Sequence, residues 1–322
     1  MPRFYLTAVA AAVMAATVNA AEFPAIPTDQ TDYNEIIYRD DANDPTSYEQ
    51  SSWKGIGLVA SGEPMSSGSK APAFLSTAKG DIITNNGSIW VLADRIENND
   101  LGQYAAGIVA SGGKKGVNAE GAVIYVHSDN NGKEDNYEAA KGMAADASTG
   151  TKTSITNSGT IYVEGGTGML ATSNAKDRKS EITNEGTIHV INSGFGMSLG
   201  GNNASGVEMT NKGTIIASGK NAYGITASDA TYGKVTNEGT IIATDGAIAI
   251  SSGRWDKDVE FSLTLTGNSH VEGVIELGKA SKLTVENLAR AETIVLSSGT
   301  PEKVNALDGA PCDGCNVGNV HV

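Results

Sequence analysis

One short pattern, Thr-Asn-x-Gly-Thr-Ile, recurs along this chain at almost constant spacing. The spacings between its last four copies are 27, 27 and 26 residues, counted between the glycines Gly159, Gly186, Gly213 and Gly239. An earlier copy contains Gly87, and a degenerate copy, VNAEGAV, places Gly121 in the same slot. A fixed period of this length is typical of a solenoid, in which each repeat is one layer stacked on its neighbours.

Each period holds three short strands: a Gly-Ile or Gly-Met segment, an Ile-Thr-Asn segment and a Thr-Ile-x-Val segment. Alternating side chains point to opposite faces of a strand, so if Ile155 points inward then Thr156 points outward. The inward slots stay apolar from period to period. They hold Ile155, Ile161, Val163, Met169 and Ala171, then Ile182, Ile188, Val190, Met197 and Leu199, then Met209, Ile215, Ala217, Ile225 and Ala227. The sequence therefore predicts an all-β fold, a right-handed parallel β-helix with three strands per coil of roughly 27 residues.

Proline placement supports this fold. All eight prolines lie at positions 2–72, 301 and 311, so residues 73–300 contain none. A strand that is hydrogen-bonded on both edges cannot spare the N–H that proline lacks. The distribution indicates strands that are paired on both sides throughout the repeat region.

The asparagine of the repeated pattern has a structural explanation. A corner between two strands favours Asn because it tolerates the left-handed backbone region, and the glycine two residues later relieves the rest of the turn. Stacked amides can also hydrogen-bond along the axis as a ladder. We predict such a ladder of Asn85, Asn157, Asn184, Asn211 and Asn237.

The ends of the chain differ from the repeats. A basic Arg3, an apolar stretch over 4–18 and a small-x-small site at 18–20 predict a signal peptide at residues 1–20, and hence export. Residues 21–52 are acidic and read as an N-terminal cap or flexible lead, residues 53–299 as the β-helix and residues 300–322 as a tail. The tail contains Cys312 and Cys315, for which we predict a local disulfide, with free thiols or redox or metal chemistry as alternatives.

Charge and motif content narrow the classes of function. The net charge of −14 opposes nucleic-acid binding, because like charges repel. No HExxH or P-loop pattern occurs. We expect no catalytic residues, no cofactor and no metal. The alternative is a β-helix polysaccharide lyase or hydrolase, which requires carboxylates converging on one outer face.

One outward column is a candidate binding stripe: Trp90, Tyr162, His189, Ile216 and Ile242. Strand propensity alone explains aromatic and β-branched residues on a sheet surface. The functional interpretation is an apolar surface for adhesion or self-association, because contiguous apolar surface often marks an interface.

The TNxGTI repeats with interleaved YGI and TGM segments resemble the passenger domain of bacterial autotransporters (type V secretion) over roughly residues 53–299. The stretch LTLTGNSHVEGVIELGKASKLTV is similar to the terminal coils of such passengers. The resemblance implies a Gram-negative source, export through the periplasm and display at the cell surface or release from it. It also implies a host surface or like passenger molecules as partners. We expect the outer-membrane translocator barrel of the family to be absent from this chain.

Overall fold

The structure is a computed structural model of the 322-residue chain. It describes residues 37–39, 47–50, 56–60, 74–76, 82–93, 105–111, 113–128, 140–147, 152–173, 179–200, 206–227, 232–243, 248–252, 260–276, 282–289, 292–293, 295–296, 304–306, 310–311 and 320–321. Every regular element in these ranges is a β-strand, and none is a helix able to cross a membrane.

The strands are short at both ends of the chain and longest in the middle. They are β1 (Ile37–Arg39), β2 (Ser47–Gln50), β3 (Ile56–Ala60), β4 (Phe74–Ser76), β5 (Ile82–Asn85), β6 (Ser88–Ala93), β7 (Ala105–Ser111), β8 (Lys115–Asn118), β9 (Val123–Ser128), β10 (Ala140–Asp146), β11 (Thr153–Asn157), β12 (Thr160–Thr172), β13 (Ser180–Asn184), β14 (Thr187–Gly200), β15 (Val207–Asn211), β16 (Thr214–Ala227), β17 (Tyr232–Asn237), β18 (Thr240–Ala243), β19 (Ile248–Ser252), β20 (Glu260–Gly267), β21 (His270–Glu272), β22 (Val274–Glu276), β23 (Lys282–Leu288), β24 (Glu292–Thr293), β25 (Val295–Leu296), β26 (Val304–Ala306), β27 (Ala310–Pro311) and β28 (Val320–His321).

These strands stack in two main sheets, each of which takes strands from successive coils. The first sheet contains 15 strands, including β6, β9, β12, β14, β16, β18 and β21. The second sheet has the order β2-β5-β8-β11-β13-β15-β17-β20-β23-β26-β27. All pairs within them are parallel except β26–β27, which is antiparallel. Parallel pairing between consecutive coils is the architecture of a β-helix, so the predicted fold class is confirmed.

The coil differs from three separate strands in one respect. In the central coils the Thr-Ile-x-Val strand and the Gly-Met strand that follows it run on as one, as in β12, which pairs with β9 over its first part and with β10 over its last. The strand bends between the two parts, where the register shifts between Glu164 and Gly166 and Gly165 has φ 78°. In β14 the corresponding bend contains Asn192, with φ 64°. A left-handed residue at this point turns the strand without interrupting it.

The core follows the predicted alternation. Every inward residue named from the sequence is 0–1% exposed, and the register places equivalent residues directly above one another, as in Ile155, Ile182 and Met209. The core is thus a continuous apolar column between the sheets. Burying these side chains on neighbouring coils is the main stabilising contribution that a single coil could not supply.

The described residues at the two ends of the chain do not test the domain boundaries, which stay predictions. Strands β1 and β2 lie inside the segment expected to be a cap or lead, and they pair with β4 and β5. The signal peptide at 1–20 and the cysteines Cys312 and Cys315 lie outside the described residues.

Candidate binding surface

The candidate stripe forms one column on the outer side of the first sheet. The pairing of β6, β9, β12, β14, β16, β18 and β21 places residues of successive coils side by side. The column reads Trp90, Tyr125, Tyr162, His189, Ile216, Ile242 and Glu272. The side chain of Trp90 lies outside the described residues, although its backbone pairs with Tyr125.

Tyr125 belongs to this column but was not predicted. It follows the degenerate copy VNAEGAV, in which the Thr-Asn-x-Gly pattern is lost. The signal that could have found it is the tripeptide Ile-Tyr-Val, which occurs at both 124–126 and 161–163. The register pairs these two segments residue for residue.

The aromatic half of the column is a stack of rings. The ring centroids of Tyr125 and Tyr162 are 5.4 Å apart, those of Tyr162 and His189 are 5.0 Å apart, and both interplanar angles are 10°. Ring faces cover one another, so mainly the ring edges point away from the sheet. Aromatic stacking of this kind adds to the stabilisation from buried area.

The stack is partly desolvated, and this shifts two pKa values. Burial lowers the pKa of the His189 imidazole below its ordinary 6.5, because the charged form loses hydration. Burial, followed by the neighbouring Tyr162, raises the pKa of Tyr125. His189 and Tyr125 are therefore both neutral at pH 7, and this part of the surface carries no net charge.

The other half of the column is aliphatic, and its flanks are mostly polar but uncharged. Ile216 and Ile242 are half-buried on the outer side. A column of hydroxyl groups lies on one side, formed by Thr160, Thr187, Thr214 and Thr240. The column on the other side reads His127, Glu164, Ile191 and Ser218.

Glu164 is the acidic group in this second flank, and its carboxylate is held from both sides. His127 Nδ1 lies 3.1 Å from its Oε2, and Asn192 Nδ2 donates to its Oε1 at 2.6 Å. These contacts link three successive coils. The carboxylate is therefore directed along the flank, and the middle column from Tyr125 to Ile242 contains no charged side chain at pH 7.

The predicted asparagines form a hydrogen-bonded ladder inside the corner between the two sheets. Each amide nitrogen donates to the amide oxygen of the next coil at 2.8 Å, from Asn85 to Asn118, Asn157, Asn184, Asn211 and Asn237. All six are 0–2% exposed. Asn237 donates to Ser269 Oγ at 2.7 Å, which ends the ladder. Asn118 was missed for the same reason as Tyr125.

The backbone explanation offered for this corner is wrong. None of the ladder asparagines has positive φ, and neither do the turn glycines Gly159, Gly186, Gly213 and Gly239. Glycine is needed there because the coils approach closely: a Cβ on Gly213 would overlap the carbonyl oxygen of Gly186. Asparagine is needed for its side-chain amide, which bonds to the next coil. The backbone carbonyl at this position also bonds to the next coil, but any residue would supply it.

Among the described residues, the outer side of the second sheet brings two carboxylates into neighbouring coils. Glu181 and Glu208 occupy neighbouring coils of one column, with Lys234 next in line. Both are half-exposed, and Lys152 Nζ lies 2.6 Å from Glu181 Oε1. Catalytic carboxylates instead lie where substrate can be enclosed between them. Within the described part of the chain, no group of three or more His, Cys, Asp or Glu side chains is placed to hold a metal ion.

Comparison with known proteins identifies the family. No curated protein and no solved structure matches this chain. A family model described as the BigA fourth domain matches residues 60–281, which include the stripe, the ladder and most of the stacked coils. That match names this domain and not the autotransporter passenger that the repeats resemble. The chain belongs to the family of the BigA fourth domain.

Proposed function

We propose that this chain is an exported, surface-displayed bacterial adhesin-like protein, non-enzymatic, that acts through the outer side of its first sheet. Membership of the BigA fourth-domain family supports the adhesin-like assignment. The proposed partners are a host surface or like molecules. Secretion as an autotransporter-type passenger is part of the proposal and rests on the resemblance of the repeats.

One observation carries the proposal. The column from Tyr125 to Ile242 runs through five consecutive coils without a charged side chain at pH 7, in a chain whose net charge is −14. Contiguous apolar surface often marks an interface. An uncharged strip is also where an acidic molecule can approach another acidic surface with the least repulsion.

The test places charge on the stripe. We expect the double variant Tyr162→Glu/Ile216→Glu to lower cell aggregation or attachment to host cells, since each carboxylate must be desolvated on contact. The matched control is Thr156→Glu/Thr210→Glu, which adds the same charge to the same two coils on the outer side of the second sheet. Equal surface levels of both proteins are established by antibody labelling. Attachment that is unchanged in the stripe variant would refute the proposal.

An assay for glycan turnover separates this function from the enzyme alternative. The purified chain is expected to leave acidic and neutral polysaccharides uncleaved. Cleavage that disappears in Glu181→Gln or Glu208→Gln would instead identify the second sheet as a catalytic surface.

A further inference from the structure

The uncharged part of the column, from Tyr125 to Ile242, is called the stripe from here on, and it is centred on His189. Tyr162 and Tyr125 lie one and two coils before it, and Ile216 and Ile242 lie one and two coils after it. The aromatic half and the aliphatic half are therefore equal in length. Reversing the direction of the column would place each tyrosine where an isoleucine stood.

We propose that the occupant of the stripe is a second copy of this chain, docked antiparallel about a twofold axis that passes at His189. This rests on the proposed function of the stripe and names its partner. A twofold interface uses the same surface on both copies, so that surface must be complementary to its own reverse. Here Tyr162 packs on Ile216 of the second copy, Tyr125 packs on Ile242, and His189 meets His189.

Ring geometry favours this occupant over a sugar. Carbohydrate rings bind aromatic residues through the exposed ring face. The faces of Tyr125, Tyr162 and His189 are directed at one another, with interplanar angles of 10°. What remains outward is ring edges, and isoleucine methyl groups pack against such edges in protein cores.

Charge distribution favours the antiparallel arrangement over the parallel one. In the antiparallel pair, Glu164 of one copy faces the coil of Ser218 in the second copy, and Glu272 faces the coil of Trp90. The threonine flank of one copy faces the threonine flank of the other, with Thr160 opposite Thr214 of the second copy. Parallel docking with coils in register would place Glu272 against Glu272, and two carboxylates in contact repel each other.

The size of the surface limits the affinity between two copies. Five coils at about 4.8 Å and a width of three outward positions give an area of roughly 300 Å² per copy. A stable complex buries about 800 Å² per partner. Two free molecules are thus expected to pair weakly, whereas two cell surfaces that carry many copies are held together by avidity.

Disulfide trapping tests the arrangement on the full exported chain with Cys312→Ser and Cys315→Ser. At about 0.1 mM protein under mild oxidant, His189→Cys is expected to form covalent dimers about tenfold faster than the control Thr210→Cys on the second sheet. A mixture of the Tyr162→Cys and Ile216→Cys proteins is expected to cross-link faster than either alone. Circular dichroism establishes that each variant is folded.

Two results would overturn the inference. One is trapping at the rate of the Thr210→Cys control in all stripe variants. The other is Tyr162→Cys cross-linking to itself as fast as to Ile216→Cys, which indicates parallel docking. If trapping fails while Tyr162→Glu/Ile216→Glu still lowers attachment to cells that lack this protein, the self-pairing is refuted and the proposed adhesive function stands.

Discussion

Asn184→Ala removes one rung from the middle of the asparagine ladder. The Asn184 amide nitrogen donates to Asn211 Oδ1 at 2.8 Å, and its oxygen accepts from Asn157 Nδ2 at 2.8 Å. All three side chains are 0% exposed, so water cannot replace the lost partner without entering the corner. The truncation therefore leaves one acceptor and one donor buried beside an empty space.

The geometry sets the expected cost. A buried polar group left without its partner costs about 1–3 kcal/mol. The amide nitrogen of Asn157 keeps a carbonyl acceptor, Gly159 O at 3.3 Å. The free-energy cost of leaving this donor without Asn184 therefore lies at the lower end of that range. The Asn211 oxygen loses its 2.8 Å donor and lies at the upper end. We expect the free energy of unfolding to fall by about 3–4 kcal/mol in total.

Equilibrium urea unfolding, followed by far-UV circular dichroism, measures this loss. The control is Thr183→Ala, the preceding residue, which points to the half-exposed outer side and is expected to cost about 1 kcal/mol or less. The double variant Asn184→Ala/Asn211→Ala is expected to cost less than the sum of its single variants, because they share one hydrogen bond. A loss in Asn184→Ala no larger than in Thr183→Ala would refute the ladder as a stabilising element.

Three further predictions concern the corner, the core and the ring stack. Gly213→Ala is expected to lower the free energy of unfolding by about 3 kcal/mol or more, whereas Gly121→Ala, with φ 79° and open space around its Cβ, costs about 1–2 kcal/mol; similar losses in urea unfolding would contradict the close-approach explanation. Met197→Ala should cost about 2–5 kcal/mol by creating a cavity, and a loss below 1 kcal/mol would argue against its central burial. Because the pKa of His189 is lower in the folded state, the unfolded state takes up the imidazole proton at a higher pH than the folded state does. The free energy of unfolding therefore falls as the pH decreases below 6.5. His189→Phe keeps a ring and cannot titrate, so wild-type stability relative to His189→Phe should decrease between about pH 7.5 and pH 5, and a constant difference would refute the assignment.

Much of the fold could be predicted because the repeat encodes it locally. A strand in a stacked coil needs an apolar residue at every inward slot, so the alternation in Ile155, Thr156 and Asn157 already defines the two sides. The constant period then fixes which residues are neighbours, because the register between coils pairs equivalent positions. The five residues predicted as a stripe could be placed in one column because each lies three residues after the glycine of a Thr-Asn-x-Gly copy.

What could not be predicted depends on three-dimensional approach rather than on pattern. The need for glycine at Gly213 comes from the carbonyl oxygen of the coil before it, which no local turn rule contains. The joining of two strands in β12 depends on a left-handed residue at Gly165. Tyr125 and Asn118 are in the same columns as their counterparts, but they belong to or follow the degenerate copy VNAEGAV, in which the Thr-Asn-x-Gly pattern is lost.

The most direct test of the account is a distance between coils. Thr156 and Thr284 are far apart in sequence, yet the pairings through Thr183, Thr210, Thr236 and Thr264 place them five layers apart in one column. Spin labels on Thr156→Cys and Thr284→Cys, in a chain with Cys312→Ser and Cys315→Ser, are expected to give a narrow distance distribution centred near 24 Å, about 4.8 Å per layer. A broad distribution, or a centre beyond about 35 Å, would contradict in-register stacking and with it both the ladder and the stripe.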